Sequence, residues 1–489
     1  MNSNTVYIHK SECNRYPDKM NSFSPSIRYP EYKFYDEISK SENMVYDMIR
    51  QCLYHMGFDK YNFNTKKWNP LKELINPGDV VLIKPNMVLD ENKIKENGTD
   101  CLITHPSLVR AILDYVVLAL DGDGTIIVGD APLQSCNFER LVQEQGYIDI
   151  MEFYKRKGVE IELVDFRNYK TIPKGGLLQR IPYESNNEAV IVDLKNKSEF
   201  STLDASHFKR LRITNYDHTI MHEHHNCTKN EYSIAKKIID ADVIINMPKP
   251  KTHRKSGVTI SLKNLVGINT NKEWLPHHTT GSVKEGGDEY LFKSLLKKKR
   301  THYIEKRNIY MASGMEVKAK LYNNMINLAT ALTKIMNKDK YSEGSWFGND
   351  TIWRTILDLN KIIFYADKHG IMSETKQRKM LIIGDMIISG EGEGPLLPSP
   401  KDLGIIAAGI NPVCFDEAIS TIMGFQPSLI PSINNARKIK YYSIADESET
   451  FITSNNSNYN LKRVNEISYN DSYKFLPSMG WRKHLNTEK

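Results

Sequence analysis

The apolar residues of this chain recur in two alternating rhythms. Short runs rich in β-branched residues at 80–83, 125–128 and 243–245 read as buried strands, and 161–164 as a further strand. Between them the apolar positions return every three or four residues. Leu108, Ile112, Tyr115 and Ala119 follow Pro106, an amphipathic stretch covers 138–154, and a further helix is expected over 232–239. Such alternation predicts an α/β fold, with a mostly parallel sheet carrying helices on both faces.

Between 292 and 376 the strand signals vanish. Val317, Leu321, Leu328, Leu332 and Ile335 mark one long helix and Ile356, Leu359 and Ile363 another, so a helical insertion is expected here. Strands resume at 380–383 and 405–408. A helix follows, with Asn411 as N-cap, Pro412 at its first position and Gly424 just past its end. The chain therefore divides into an N-terminal extension (1–76), a first α/β part (77–291), the insertion (292–376), a second α/β part (377–426) and a C-terminal extension (427–489).

A length of 489 residues with 40% hydrophobic content suffices for a sizeable core. The net charge of +7 is diluted over the chain, apart from the run Lys297, Lys298, Lys299 and Arg300. That balance suits an anionic small molecule as partner and gives no reason to expect nucleic acid. Cys13, Cys52, Cys101, Cys136, Cys227 and Cys414 form no CxxC pair, so no iron–sulfur cluster or zinc ribbon is expected. No apolar run approaches the ~20 residues that span a bilayer, and the start of the sequence has no signal-peptide layout. The expectation is a cytoplasmic protein without a transmembrane segment, of open oligomeric state.

In a parallel α/β sheet, ligands sit beyond the carboxyl ends of the strands. There the 243–245 strand runs into Lys249, Lys251, Thr252 and His253, followed by Thr259, Ser261, Lys263, Asn264 and Gly267. These are donors for phosphate or carboxylate oxygens, or alternatively a solvated loop. Lys84 and Asn86 follow the first strand, and His277 and His278 lie a short step downstream. Acidic candidates come at other strand ends: Asp130, then Asp385, Glu391 and Glu393 among the alternating glycines of 384–395. Asp130, Asp385, Glu391 and Glu393 are candidate ligands for a divalent metal such as magnesium, while His253, Asp385 and Glu391 are candidate acid–base residues. The other reading is a glycine-rich turn with solvated acids and, for Asp130, an ordinary helix cap. His222, Glu223, His224 and His225 match no zinc spacing and are expected in a polar loop. No GxGxxG, GxxxxGK[ST] or GxSxG motif follows a strand, which weakens the dinucleotide, ATPase and serine-hydrolase readings.

Four segments taken together resemble the domain of unknown function 362 family. They are Val81-Leu82-Ile83-Lys84-Pro85-Asn86; Thr104-His105-Pro106; Lys251-Thr252-His253 with Lys263, Asn264 and Gly267; and 385–395 with Asp416 and Gly424. The resemblance spans about 80–424 apart from the insertion. Many members of that family carry ferredoxin-type cysteine motifs, which are absent here, so no redox role is implied. Residues 272–290, with Trp274, His277, His278, Gly286, Gly287, Asp288 and Glu289, resemble a longer subgroup often encoded near bacterial surface-sugar genes. The resemblance brings no established reaction. It leaves two functions open: an enzyme, with or without a metal, acting on a phosphorylated or nucleotide-linked sugar, or a non-catalytic binding or assembly protein of a polysaccharide pathway that uses the insertion as its contact surface.

Overall fold

The computed structural model describes residues 3–485 apart from 13, 175–176, 184–187, 215, 337–339 and 447. Eleven strands form its main sheet: β1 (Thr5–Lys10), β2 (Val80–Pro85), β3 (Thr125–Asp130), β4 (Glu162–Asp165), β5 (Val243–Met247), β6 (Lys251–His253), β7 (Gly257–Thr259), β8 (Lys379–Glu393), β9 (Leu397–Gly409), β10 (Phe451–Ser454) and β11 (Lys462–Arg463). Their order is β11-β10-β1-β9-β8-β5-β2-β3-β4, with β6 joining β8 and β7 joining β6. The run from β4 to β8 is parallel. Strand β9 is antiparallel to both β8 and β1, and β10 is parallel to β1.

Strict alternation along these strands splits the core in two. Val81, Ile83, Val243, Ile245, Leu381 and Ile383 face one layer, and Leu82, Ile244, Met380 and Ile382 the other. Seven helices matter here: α1 (Met44–His55), α2 (Pro106–Leu120), α3 (Ser261–Asn264), α4 (Leu295–Ala312), α5 (Glu316–Met336), α6 (Ile352–Tyr365) and α7 (Pro412–Met423). Helices α1 and α2 cover the first face, α6 and α7 the second. The ends of α7 follow the sequence signals: Asn411 accepts hydrogen bonds from the amides of Val413 and Cys414, and Gly424 closes the helix at φ +92°.

Several expectations are corrected. Residues 231–235 form a strand (Glu231–Ala235) paired with Ala189–Asp193, and only Lys236–Ile239 is helical. A strand there buries Tyr232 and Ile234 on one side while the neighbour meets its backbone bonds. The glycine-rich 384–393 segment is no turn but the continuation of β8. Its glycines admit a neighbouring chain: a Cβ at Gly390 would stand 2.6 Å from the Cys101 carbonyl oxygen, and one at Gly394 would overlap that of Thr252. The His-rich segment is helical over His218–His224, with His224 stacked on Trp274 and His225 buried against the Trp274 carbonyl.

Among the described residues, 292–376 contains no strand. Helices α4 and α5 pack together as a hairpin, whereas α6 is buried along its whole length in the main core. Residues 1–76 and 427–489 both contribute strands to the sheet. Cys13 lies outside the described residues, and the other five cysteines are free thiols. Among the described residues, no helix is long and apolar enough to cross a membrane.

Candidate anion-binding cavity

The carboxyl ends of β2, β3 and β5 are tied together by side chains that have little freedom. Lys84, at the end of β2, pairs with Asp130, at the end of β3, at 2.8 Å, both almost wholly buried. The other Asp130 oxygen accepts the Met87 amide at 2.7 Å. Asn264 is shared between neighbours: its Nδ2 donates to Asn246 and to the Lys84 carbonyl, while its Oδ1 accepts from Asn86 and Lys84. Helix α3, which carries Lys263 and Asn264, is anchored at its start by Asp416 of α7, whose carboxylate accepts the amides of Ser261 and Leu262. Burial raises the Asp416 carboxyl well above its ordinary range. Gly267 then passes against the Lys84–Asp130 pair, where any Cβ would overlap Asp130 Oδ1.

Over this floor opens a cavity of about 700 Å³. Its cationic lining comprises Lys93, Lys251, Arg254, Lys255, Lys263, Lys272 and Arg307, against the carboxylates of Asp130, Asp217 and Glu273. Lys251 donates to Asn86 Oδ1 at 3.0 Å and to the Leu102 carbonyl, and Lys255 donates to Thr214 and the Glu343 carbonyl. Among the described residues, the ammonium groups of Lys263 and Lys272 have no hydrogen-bond or ion-pair partner. Burial, with Lys84 close by, pushes Lys263 down to about 8, and burial pushes Lys272 down to about 7 against the pull of Asp130. Burial and a neighbouring cation likewise hold Lys251 and Lys255 at about 7.

Two lining histidines are fixed in opposite tautomers. His253 Nδ1 accepts from the amides of Lys255 and Ser256 at 3.0 and 3.1 Å, so its ring proton sits on Nε2. His277 Nδ1 lies 2.7 Å from the Leu275 carbonyl, which can only accept, so its Nε2 keeps a lone pair. Burial holds both rings well below the ordinary imidazole range, aided by Lys263 at His253 and by Lys255 at His277. The cavity thus presents one imidazole donor and one imidazole acceptor.

Of the residues singled out in the sequence, Asn86, Asp130, Lys251, His253, Lys263, Asn264 and His277 line this cavity. Lys84 supports it from behind through Asp130. Thr252 turns away and donates to the Gly392 carbonyl at 2.9 Å, tying β6 to β8. His278 is buried outside the lining, in a short pairing with Arg212. Asp385 belongs to a separate buried cluster in which it pairs with Lys249 at 2.6 Å and accepts from Tyr16 at 2.6 Å and from the His105 amide at 2.9 Å. Tyr16 stacks on His105 with ring centroids 4.0 Å apart. Glu391 pairs with Lys401 at 3.1 Å and accepts the Leu476 amide, and Glu393 accepts the Met479 amide, so both fasten the C-terminal segment.

The four carboxylates considered for magnesium therefore do not fit that ion as a set. Three have turned to different partners outside the cavity. Among the described residues, no group of three or more histidine, cysteine or acidic side chains is arranged to hold a metal. The sequence reading missed Lys255, Lys272, Arg307 and Tyr16. Lys255 and Lys272 stand in segments already marked by their neighbours; Arg307 and Tyr16 reach their sites from remote chain segments and carry no local signal.

Comparison with known proteins gives one family match, to the family described as Domain of unknown function (DUF362), over residues 81–195 and 204–421. The chain is also similar to the Thylakoid-associated protein sll1697 of Synechocystis sp. (strain ATCC 27184 / PCC 6803 / Kazusa), with 25% identity over 193 residues. That stretch covers 40% of this chain and 40% of the relative, so the chain spans well under half of that protein's length. No solved structure matches.

Proposed function

The chain belongs to the DUF362 family, and on that premise we propose that its cavity takes an anionic small molecule, a phosphorylated or nucleotide-linked sugar, as an enzyme of surface-polysaccharide metabolism in the cytoplasm. The observation that carries this reading is the pair of ammonium groups, Lys263 and Lys272, that have no partner among the described residues, in a cavity whose other cations outnumber its carboxylates. Lys272 is buried and Lys263 half-buried, so their charges are poorly hydrated, and a bound phosphate would supply the missing partner. In this reading Lys263 and Lys272 hold the anion, His253 donates from Nε2, and His277 Nε2 accepts a proton from a substrate hydroxyl. No step is assigned to Asp385, Glu391 or Glu393, or to a metal they would hold.

The test is a melting-temperature screen of the full chain with sugar phosphates and nucleotide sugars, since a ligand bound to the native state raises its apparent stability. We expect a shift with at least one phosphorylated compound, much reduced in Lys263→Met. No shift with any phosphate, or an equal shift in that variant, sinks the reading.

A second reading, a non-catalytic binding or assembly protein of a polysaccharide pathway, is favoured by the exposed apolar side chains of the insertion. The relative's name, which ties it to the thylakoid, also suits a protein that works at a membrane surface.

A further inference from the structure

Helix α5 is apolar on two opposite sides. Ala319, Ile326 and Ala329 are its buried residues. At 100° per residue they fall on one side of the helix, and Val317, Leu321, Leu328, Leu332 and Ile335 fall within about 60° of one another on the other side. That second stripe is bare: Val317 is 83% exposed, Leu328 64% and Ile335 82%. It runs nearly the whole helix, about 27 Å from Val317 to Ile335 at 1.5 Å per residue. Leu295 and Met315, in the same hairpin, are exposed as well.

The charge of the hairpin points to what covers the stripe. Residues 292–336 hold ten Lys and Arg against two Glu, a net +8, whereas the whole chain carries only +7. The entire positive excess is therefore concentrated on this one hairpin, and the rest of the molecule is close to neutral. Lys293, Lys298, Lys299, Lys318, Lys320 and Lys334 are exposed. Lys318 and Lys320 flank the stripe on either side, where long basic side chains can reach headgroups while the apolar residues sink between acyl chains.

We propose that the α4–α5 hairpin docks this protein onto an anionic phospholipid bilayer, with the α5 stripe lying in the interfacial plane. A second copy of the chain is a poorer occupant, because two such hairpins face to face would set their exposed lysines, Lys293, Lys298, Lys299, Lys318, Lys320 and Lys334, against one another. The hairpin also supplies Arg307, Met311 and Asn323 to the wall of the cavity, so docking would bring the cavity to the membrane surface. The inference does not depend on what the cavity binds.

Vesicle flotation of the full-length protein tests it, with phosphatidylcholine vesicles compared with phosphatidylcholine–phosphatidylglycerol vesicles. The parent is expected to float with the anionic vesicles, at least about tenfold more tightly than with the neutral ones, and to be released by salt. Leu321→Glu with Leu328→Glu should abolish flotation, and Lys298→Glu with Lys299→Glu should weaken it by at least about thirtyfold. Unchanged melting temperatures, and unchanged melting shifts with cavity ligands, show that the variants keep their fold and their cavity. If the apolar variant fails to fold, the lysine variant decides. The proposal is overturned if the parent ignores anionic vesicles, if both variants float like the parent, or if sedimentation shows a dimer that the apolar variant turns into a monomer without any vesicle binding.

Discussion

Lys84 Nζ lies 2.8 Å from Asp130 Oδ1, with both side chains shielded from water and Gly267 packed against the pair. The pair welds the ends of two adjacent parallel strands beneath the cavity. Removing one partner leaves the other as a lone buried charge, which costs about 3 to 5 kcal/mol. Asp130→Asn is therefore expected to lower the guanidinium unfolding midpoint sharply. Gly267→Ala should act in the same direction, since its methyl group has nowhere to go. A midpoint unchanged in both variants would show that the pair does not organise the floor.

Lys263→Met should behave in the opposite way. No partner is orphaned, so the unliganded protein should be at least as stable as the parent. Anion binding should weaken by roughly tenfold or more, the loss of a charge-assisted hydrogen bond being about 1.5 to 3 kcal/mol. Isothermal titration with a phosphorylated ligand from the melting screen measures it.

The depressed lysines give a pH signature with two opposed trends. Lys272 and Lys263 titrate at about 7 and about 8 in the folded protein and at about 10.4 when unfolded. Between those values the unfolded chain binds more protons, so stability without ligand should rise as pH increases from about 7 toward 10. Anion affinity should fall over pH 7 to 9, because the charged form that holds the ligand is lost. Melting curves and binding titrations across that range check both signs.

Tyr16→Phe and Asp385→Asn test whether the Lys249 cluster is structural. Asp385 accepts from Tyr16 and from the His105 amide and pairs with Lys249. Tyr16→Phe should lower stability by about 1.5 to 3 kcal/mol, the loss of a buried hydrogen bond to a charge, and Asp385→Asn by about 3 to 5 kcal/mol, because it leaves the buried Lys249 ammonium without its carboxylate. Ligand affinity should not change. A large loss of affinity without a loss of stability would return Asp385 to the active machinery.

Glu391→Gln and Glu393→Gln should leave bound metal unaltered, as measured by elemental analysis of the purified protein. Their carboxylates receive the backbone amides of Leu476 and Met479. The expected effect is faster proteolysis of the C-terminal segment after about residue 475.

The periodicities of the sequence determine the strand–helix alternation, because a strand buried on both faces can hide its side chains only beneath helices. Strands β2, β3 and β5 and the caps of α7 were legible in this way. So was the cationic character of the segment from Lys249 to Lys263, since the end of a parallel strand must open toward the ligand-binding edge. What the sequence could not determine is which charges cancel. Lys249, Lys251 and Lys263 look alike along the chain, yet packing gives Lys249 a carboxylate brought from Asp385, gives Lys251 an amide and a carbonyl, and leaves Lys263 with no partner among the described residues. The same holds for the acids: Asp130 meets Lys84, while Glu391 meets the returning C-terminal segment. Pairing depends on distances of about 3 Å between residues more than a hundred positions apart in sequence for Lys249–Asp385. Only the tertiary fold sets those distances, and with them which of many similar side chains remains free to bind.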